Sequence, residues 1–423
     1  MVGGAGRFLI GVCLATGLLA VAHQARGEAP PLRSITPDAY SDQPAGIRYG
    51  SLLYNASLTS GLAWDTNIFS SKAHVVGDRI LVLRPGLTIS SLDPNYKFTF
   101  RSNLQQLDYE FSPSDNRMDG LVELHGNIRV QRDTTIDVGL AAARIMDPRS
   151  SILRRDLPEN AAAPITHNQY SAWIGLRRNY NPMVSTTTVT VLRDDYYDVQ
   201  AISGSPINMQ HEDRDIARLS QDFELRLSHR LLLFSRERVS MSTYRNVQGF
   251  TQEDSVKFET VNGIEVGITP LITGIFSFHF GDEHFWADTI QSDPELRYRA
   301  ELAWSPRRNL RLRAGVLRDF GGTSLTLDSV GGRRTYADFA LEYDITRQLF
   351  FRANFVHLHA NEASLSSGNT RLENTYLYKA SLGYQISRYW SWYIDYAYER
   401  RDAKIETDEF DRQIVQSGLV SRF

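Results

Sequence analysis

The sequence predicts an all-β protein, a single antiparallel transmembrane β-barrel of about 18 strands (roughly 16–18) behind a cleaved signal peptide. Three observations support this prediction. Apolar and polar residues alternate along most of the chain, tight turns alternate with long polar loops, and the last residue is Phe423. A membrane-spanning strand needs only about 9–11 residues, so alternating segments of this kind can cross a bilayer without any long apolar run.

The first 27 residues are typical of a secretory signal peptide. Arg7 supplies the positive charge, residues 8–22 form an apolar core, and residues 25–27 suit a cleavage site before Glu28. Cleavage after Ala22 is the alternative. The only cysteine, Cys13, lies inside this segment, so we expect a mature chain without disulfides or thiolate metal ligands.

The remaining chain is predicted to consist of a periplasmic tail over residues 28–48 and a barrel over residues 49–423. The tail is rich in proline and polar residues. The whole chain has 423 residues, a net charge of −3 and a mean hydropathy of −0.33. In a membrane barrel the polar residues that face the lumen lower the mean hydropathy, so a negative value is compatible with a barrel. The near-neutral net charge gives no indication of nucleic-acid binding.

The strand prediction is clearest where both faces can be recognised. From Leu296 to Trp304, from Ala337 to Asp344 and from Trp390 to Glu399, every second residue is apolar or aromatic. A period of two is typical of a strand with one apolar and one polar face. Aromatic residues lie near the ends of the apolar face, as in the interfacial girdles of membrane barrels. A large soluble all-β sandwich or propeller is the alternative that alternation alone leaves open.

Short turns are predicted at eight places, with longer polar connections between them. An alternation of short periplasmic turns and long external loops is the rule for outer-membrane barrels, and it requires an even number of strands. The predicted turns are Asp93-Pro94, Arg132-Asp133, Asn181-Pro182, His229-Arg230, Thr269-Pro270, Ser305-Pro306, Thr346-Arg347 and Ser387-Arg388.

Residues 61–87 carry a family resemblance. The run Gly61-Leu-Ala-Trp-Asp-Thr-Asn-Ile-Phe69 and the following Gly77-Asp-Arg-Ile-Leu-Val-Leu-Arg-Pro-Gly-Leu87 resemble the opening of an outer-membrane β-barrel porin family that is often encoded near bacterial exopolysaccharide genes. The resemblance implies an outer-membrane channel in a Gram-negative bacterium and a connection with exopolysaccharide export. It implies no catalytic motif.

Polar side chains on the strands are the candidate functional residues, because the polar face of a barrel lines its interior. The arginines of residues 297–299 and 311–313 are predicted to form a basic ladder on neighbouring strands, beside an acidic ladder from Asp338 and Glu342. A basic ladder opposite an acidic one would produce an electric field across a water-filled pore, perpendicular to the barrel axis. Alternatively, these charges pair with each other and fill a closed lumen. The predicted pore-lining residues are Arg218, Asp222, Glu224, Arg226, Arg297, Arg299, Glu301, Arg311, Arg313, Asp338, Glu342, Lys379, Asp395 and Glu399.

Two short motifs have the residue types of a metal site. The oxygens of Asp65-Thr-Asn67 suit a divalent cation, although an Asx turn is the more common structure for such a sequence. The pair His357 and His359 lies on one strand face, but no third ligand is identifiable. We therefore predict no metal, no cofactor and no catalytic residue.

The predicted function is a channel for polar solutes, with the family resemblance adding exopolysaccharide export. The alternatives are a closed structural or adhesive barrel that acts through its external loops, and an outer-membrane hydrolase, for which no nucleophile motif is present. The predicted partners are outer-membrane lipid and lipopolysaccharide, the barrel assembly machinery through Phe423, and a polysaccharide or small polar solute. No nucleic acid is expected.

Overall fold

The structure is a computed structural model that describes residues 46–147, 163–201, 203–245, 254–286, 295–321, 329–364, 370–404 and 409–423. The predicted signal peptide and most of the predicted tail lie outside the described residues. Every long element in the described ranges is a β-strand. No helix among these residues is long and apolar enough to cross a bilayer.

Eighteen long strands form one sheet, and we number them in chain order. They are β1 (Leu52–Asp65), β2 (Asp78–Ser91), β3 (Tyr96–Tyr109), β4 (Arg117–Arg129), β5 (Thr134–Asp147), β6 (Ile165–Asn179), β7 (Met183–Tyr196), β8 (Arg214–Ser228), β9 (Leu231–Tyr244), β10 (Ser255–Thr269), β11 (Ile272–Phe285), β12 (Glu295–Arg307), β13 (Leu310–Gly321), β14 (Ser329–Asp344), β15 (Leu349–Ser364), β16 (Thr370–Gln385), β17 (Trp390–Ala403) and β18 (Phe410–Arg422).

Each strand pairs antiparallel with the next, and β18 pairs with β1, so the sheet closes into a barrel. The closing register runs from Ser57 opposite Arg422 to Asp65 opposite Ile414. The prediction of a single antiparallel barrel of about 18 strands is confirmed. A short strand, Ile47–Tyr49, precedes β1 and pairs with it, and a small two-stranded ribbon, Val199–Gln200 with Pro206–Ile207, lies between β7 and β8.

The barrel wall separates an apolar outer face from a polar inner face. On β12, Leu296 points outward with 61% of its surface exposed, whereas the adjacent Arg297 is only 7% exposed. Alternation of this kind recurs around the wall, because successive side chains of a strand leave opposite faces. Large exposed apolar residues therefore lie outside, and the buried polar residues lie inside.

Exposed aromatic side chains lie near both ends of the outer face. We call the end with the short turns the turn end and the opposite end the loop end. Aromatic belts mark the two interfaces of a bilayer, and these two sets indicate the height of the apolar band. At the turn end they are Tyr96, Tyr180, Trp304, Tyr384, Tyr389, Trp390 and Phe423, and at the loop end Trp64, Phe111, Tyr170, Tyr197, Phe258 and Trp286.

The turn predicted at Ser305-Pro306 is wrong. Both residues belong to β12, and the connection to β13 is made by residues 308 and 309. The ladder between β12 and β13 shifts register between Trp304 and Arg307. Proline has no N–H to donate to a ladder, and this irregularity lets Pro306 stay in the strand. The other seven predicted turns all fall at or within the short connections between strands.

A buried ion pair lies at the loop end of the seam between β1 and β18. Arg412 donates from Nε to both carboxylate oxygens of Asp65, at 3.0 Å each, and also from Nη2. Asn67 extends this contact, because its side chain donates to the carbonyl oxygens of Ser71 and Asp411 at 2.9 and 3.0 Å. We call Asp65, Asn67 and Arg412 the seam cluster.

Breaking the ion pair of the seam cluster should destabilise the barrel strongly. Asp65 is fully buried and the Arg412 side chain is 11% exposed, so Asp65→Ala should lower the free energy of unfolding by about 3–5 kcal/mol. The control is Glu110→Ala. Its pair with Arg79 spans 2.8 Å with side chains 48% and 60% exposed, and its loss should cost under about 1 kcal/mol. Urea titration of detergent-refolded protein measures both variants, and equal losses would contradict the importance of burial.

A second prediction concerns Gly139 on the inner face of β5. A Cβ built at this glycine would overlap the indole ring of Trp173. Gly139→Ala should therefore destabilise the barrel by about 1–3 kcal/mol, because Trp173 must leave its position. At Gly281 the nearest atom to a built Cβ is 3.7 Å away, so Gly281→Ala is the matched control. The urea midpoint should fall only for Gly139→Ala, and an equal midpoint in both variants would show that Trp173 is free to move.

Candidate functional site

The inner face of the barrel holds the candidate functional residues. Register and alternation place on this face all the residues that the sequence singled out: Arg218, Asp222, Glu224 and Arg226 on β8; Arg297, Arg299 and Glu301 on β12; Arg311 and Arg313 on β13; Asp338 and Glu342 on β14; Lys379 on β16; and Asp395 and Glu399 on β17. That they line a pore stays a prediction.

The basic and acidic ladders of β12, β13 and β14 are in contact with each other. Arg311 approaches Glu342 at 3.9 Å and Arg313 approaches Asp338 at 3.8 Å, in both cases between adjacent strands. These side chains are largely shielded from solvent. The two ladders therefore offset much of each other's charge across the β13–β14 boundary.

The arginines of β12 also have acidic partners. Arg299 donates to Glu301 on its own strand at 2.6 Å. Arg297 lies 3.5 Å from Glu259 of β10, a residue that the sequence analysis did not single out. With these contacts, all four arginines of the predicted basic ladder have a carboxylate within 4 Å.

A second charged group lies on β8, β9 and β10. Arg218 donates to Ser240 of β9 at 3.1 Å, and Asp222 lies 3.9 Å from Arg236. On β10, Lys257 lies between two carboxylates, 3.9 Å from Glu259 and 3.6 Å from Glu283. Opposite charges thus alternate around this part of the inner wall.

The inner faces of β16, β17 and β18 carry a third group. Glu399 on β17 is the direct cross-strand partner of Arg412 in the seam cluster. Arg401, two residues further along β17, lies 3.8 Å from Glu373 of β16. Asp395 is buried opposite Gln416 of β18. The charged wall therefore extends from β8 to the seam.

The inner wall is different on β5, β6 and β7. Its side chains there are mainly small, hydroxyl-bearing or aromatic, and they include Ser171 and Trp173 on β6 and the alternating Thr186, Thr188 and Thr190 on β7. We call these five residues the hydroxyl wall. The hydroxyl wall carries little charge, so charge patterning does not predict it; the signal in the sequence is threonine at every second position of residues 186–190.

The two motifs with metal-ligand residue types take other roles. Asp65 binds Arg412 and accepts a bond from the backbone N–H of Asn67 at 3.0 Å, which makes an Asx turn. His357 and His359 lie on the outer face, where both rings contact Oδ1 of Asn374 at 3.3 and 3.0 Å. Within the described ranges, no group of three or more His, Cys, Asp or Glu side chains could hold a metal ion.

An apolar groove lies on the outer face across β3 to β7. Its lining is almost entirely apolar and includes Phe98, Leu124, Leu140, Ile174, Val189 and Val191. A groove of this chemistry on the outer face suits a lipid acyl chain rather than a polar solute. The candidate site for polar chemistry is therefore the inner face.

The fold resembles those of solved structures of other proteins. The siderophore receptor PirA from Acinetobacter baumannii matches with a TM-score of 0.50 at 5% identity, over 88% of this chain and 80% of that chain. The structure of the FpvAI–pyocin S2 complex matches with a TM-score of 0.50 at 10% identity, over 85% of this chain and 57% of that chain. At such identities the likeness shows the fold alone.

No curated protein sequence matches the chain. A family model does, under the description "Putative beta-barrel porin 2", and it covers residues 39–423. This range includes all eighteen strands and the inner face they form. The chain therefore belongs to this β-barrel porin family and is an outer-membrane barrel channel.

Proposed function

We propose that the protein is a passive channel for polar solutes and that its specialised substrate is an exopolysaccharide leaving the cell. The observation that carries this proposal is the polar lining of the inner face over most of the barrel, charged on β8 to β18 and rich in hydroxyls on β5 to β7. Barrels of 16–18 strands are wide enough for an aqueous channel. The function is transport rather than catalysis.

The hydroxyl wall supports a carbohydrate substrate. Sugars offer many hydroxyl groups and weakly apolar C–H faces, so they bind to surfaces that combine hydroxyls with an aromatic ring. Thr188, Thr190 and Trp173 provide this combination on adjacent strands, with Trp173 directly opposite Thr190 in the register. A solute that lies along this wall also faces the paired charges of β12 to β14, which can bind its polar groups in turn.

Conductance tests the channel directly. Purified protein in a planar bilayer should give stepwise conductance, and an added oligosaccharide should block it. Trp173→Ala should weaken the block by roughly tenfold, which corresponds to about 1.4 kcal/mol of binding free energy. Trp304→Ala, which removes an exposed indole on the outer face, is the matched control and should leave the block unchanged.

The possible results separate three functions. A protein that never conducts would favour the closed structural or adhesive barrel. Conductance that no oligosaccharide blocks would support the channel function and contradict an exopolysaccharide substrate. If Trp173→Ala and Trp304→Ala changed the oligosaccharide block equally, the hydroxyl wall would not be the surface that binds the oligosaccharide.

Ion selectivity tests whether the paired charges of β12 to β14 face the permeation path. Arg299→Gln with Arg313→Gln leaves two carboxylates, Glu301 and Asp338, without their cations, so the reversal potential should shift toward cation preference. The mirror variant, Glu301→Gln with Asp338→Asn, should shift it toward anion preference.

These two variants control each other, because each disrupts the same two contacts and only the sign of the remaining charge differs. In a tenfold gradient of a monovalent salt, the potential is bounded at about 59 mV in either direction. Folding is checked by heat-modifiable gel mobility. Folded variants that shift in the same direction, or not at all, would show that ions pass elsewhere.

A further inference from the structure

The outer face of β8, β9 and β10 is interrupted by polar residues halfway along the strands. On β9 the outward side chains run Leu231, Leu233, Ser235, Glu237, Val239 and Met241. Glu237 is exposed and is the seventh of the fourteen residues of its strand, with Val239 and Met241 towards the loop end and Leu233 and Leu231, beyond Ser235, towards the turn end. This carboxylate therefore lies within the band that faces lipid.

The same interruption occurs on the neighbouring strands. On β8, Gln221 lies between Leu219 and Phe223, and on β10, Asn262 and Thr260 lie between Ile264 and Phe258. Together these side chains form a continuous patch, which we call the polar strip. Its residues are Ser185 and Thr187 on β7, Gln221 on β8, Ser235 and Glu237 on β9, and Thr260 and Asn262 on β10.

Hydrogen bonds link the strip into two groups. Gln221 accepts a bond from Thr187 Oγ1 at 2.5 Å and donates to Ser185 Oγ at 2.9 Å. Glu237 accepts from Ser235 and Thr260 at 2.9 and 2.8 Å. Among the described residues, both side-chain bonds to Glu237 go to Oε1, and no lysine, arginine or histidine lies within ion-pair distance of it.

Hydrocarbon cannot solvate this strip. Polar groups that lack a partner in lipid are costly, and charged residues on the lipid face of a barrel cost most near the midplane. The opposite wall of the barrel carries no charge at this height, since β17 and β18 present Ile394, Tyr396, Val415 and Ser417 near the middle of their outer faces. The strip therefore indicates a part of the outer face that contacts protein.

We propose that the polar strip is the interface of a homodimer, with a two-fold axis normal to the membrane between β8 and β9. A two-fold interface is self-complementary, so each residue meets its counterpart from the other side of the axis. Gln221 and Glu237 are direct cross-strand partners on either side of this axis. The carboxylate of Glu237 in one copy thus faces the carboxamide of Gln221 in the second copy.

The proposed contact gives the polar groups of the strip hydrogen-bond partners in both copies at once. The Gln221 amide donates and the Glu237 carboxylate accepts, and the axis produces this pair twice. One strand further out, Thr260 and Asn262 of β10 face Ser185 and Thr187 of β7 in the second copy, which again joins donors to acceptors. The two carboxylates lie on opposite sides of the axis and are not opposed to each other.

The oligomeric state of the wild type and of Glu237→Leu tests the proposal. Native mass spectrometry from lipid nanodiscs should give the mass of two chains for the wild type. Glu237→Leu should weaken dimerisation by at least roughly tenfold, while the leucine still suits lipid, so insertion is retained. Val415→Leu on the opposite wall is the matched control and should stay dimeric.

Each other outcome overturns the proposal. A wild type with the mass of one chain would show that the internal hydrogen bonds suffice for the strip in lipid. A wild type that carries a different protein would assign the strip to that partner. A Glu237→Leu variant that dimerises as tightly as the wild type would place the interface elsewhere.

Cross-linking in intact outer membranes tests the axis independently. In a Cys13→Ala background, Leu219→Cys places a single thiol on the outer face of β8, next to the axis and outside the polar strip. A short bismaleimide should then join two chains and no more. Val415→Cys, on the far wall, should remain uncross-linked. A ladder of three or more chains from Leu219→Cys, or dimers from Val415→Cys, would contradict a two-fold contact through the strip.

Discussion

Closure of the sheet between β1 and β18 is the constraint on which the rest of the structure depends. In lipid, a spanning backbone must satisfy its own hydrogen bonds, and a closed sheet does so because it has no edge. At the turn end, Phe423 and Ala56 exchange backbone bonds of 2.9 and 3.1 Å. At the loop end, Asp65 binds Arg412. The seam is therefore bonded at both ends, and every strand of the closed wall has one face towards the lumen and one towards lipid.

Once the wall is closed, the position of each charge follows from its strand face. Arginines and carboxylates leave the inner face close together, and most of the charged residues that the sequence singled out lie near an opposite charge. Such pairing reduces the net field without making the interior apolar. A wall of this kind presents local charges of both signs to the lumen, whereas a large excess of one sign would select ions by charge alone.

The alternation of apolar and polar residues predicted which side chains point inward and which point outward. A strand has only two faces, so once one residue such as Trp304 or Arg299 is assigned to a face, the faces of its neighbours follow. Contacts between strands were harder to predict. Arg297 meets Glu259 two strands away, and the polar strip appears only when Gln221, Glu237 and Thr260 are aligned. The register between two strands depends on the length of the turn that joins them, and the irregularity at Pro306 shifts the register between β12 and β13. The hydroxyl wall was missed because threonine resembles an ordinary strand former.

The seam cluster has a consequence for the order of events during biogenesis. Asp65 and Arg412 are separated by 347 positions in the chain, so the edge of β1 from Ser57 to Asp65 stays unpaired until the last strand has been added. Until β18 arrives, β1 presents an open edge that could join a strand of another molecule. Contacts so distant in sequence form late and slowly. Whatever shelters β1 during this interval determines whether each chain closes on itself or becomes part of a larger, mispaired ring.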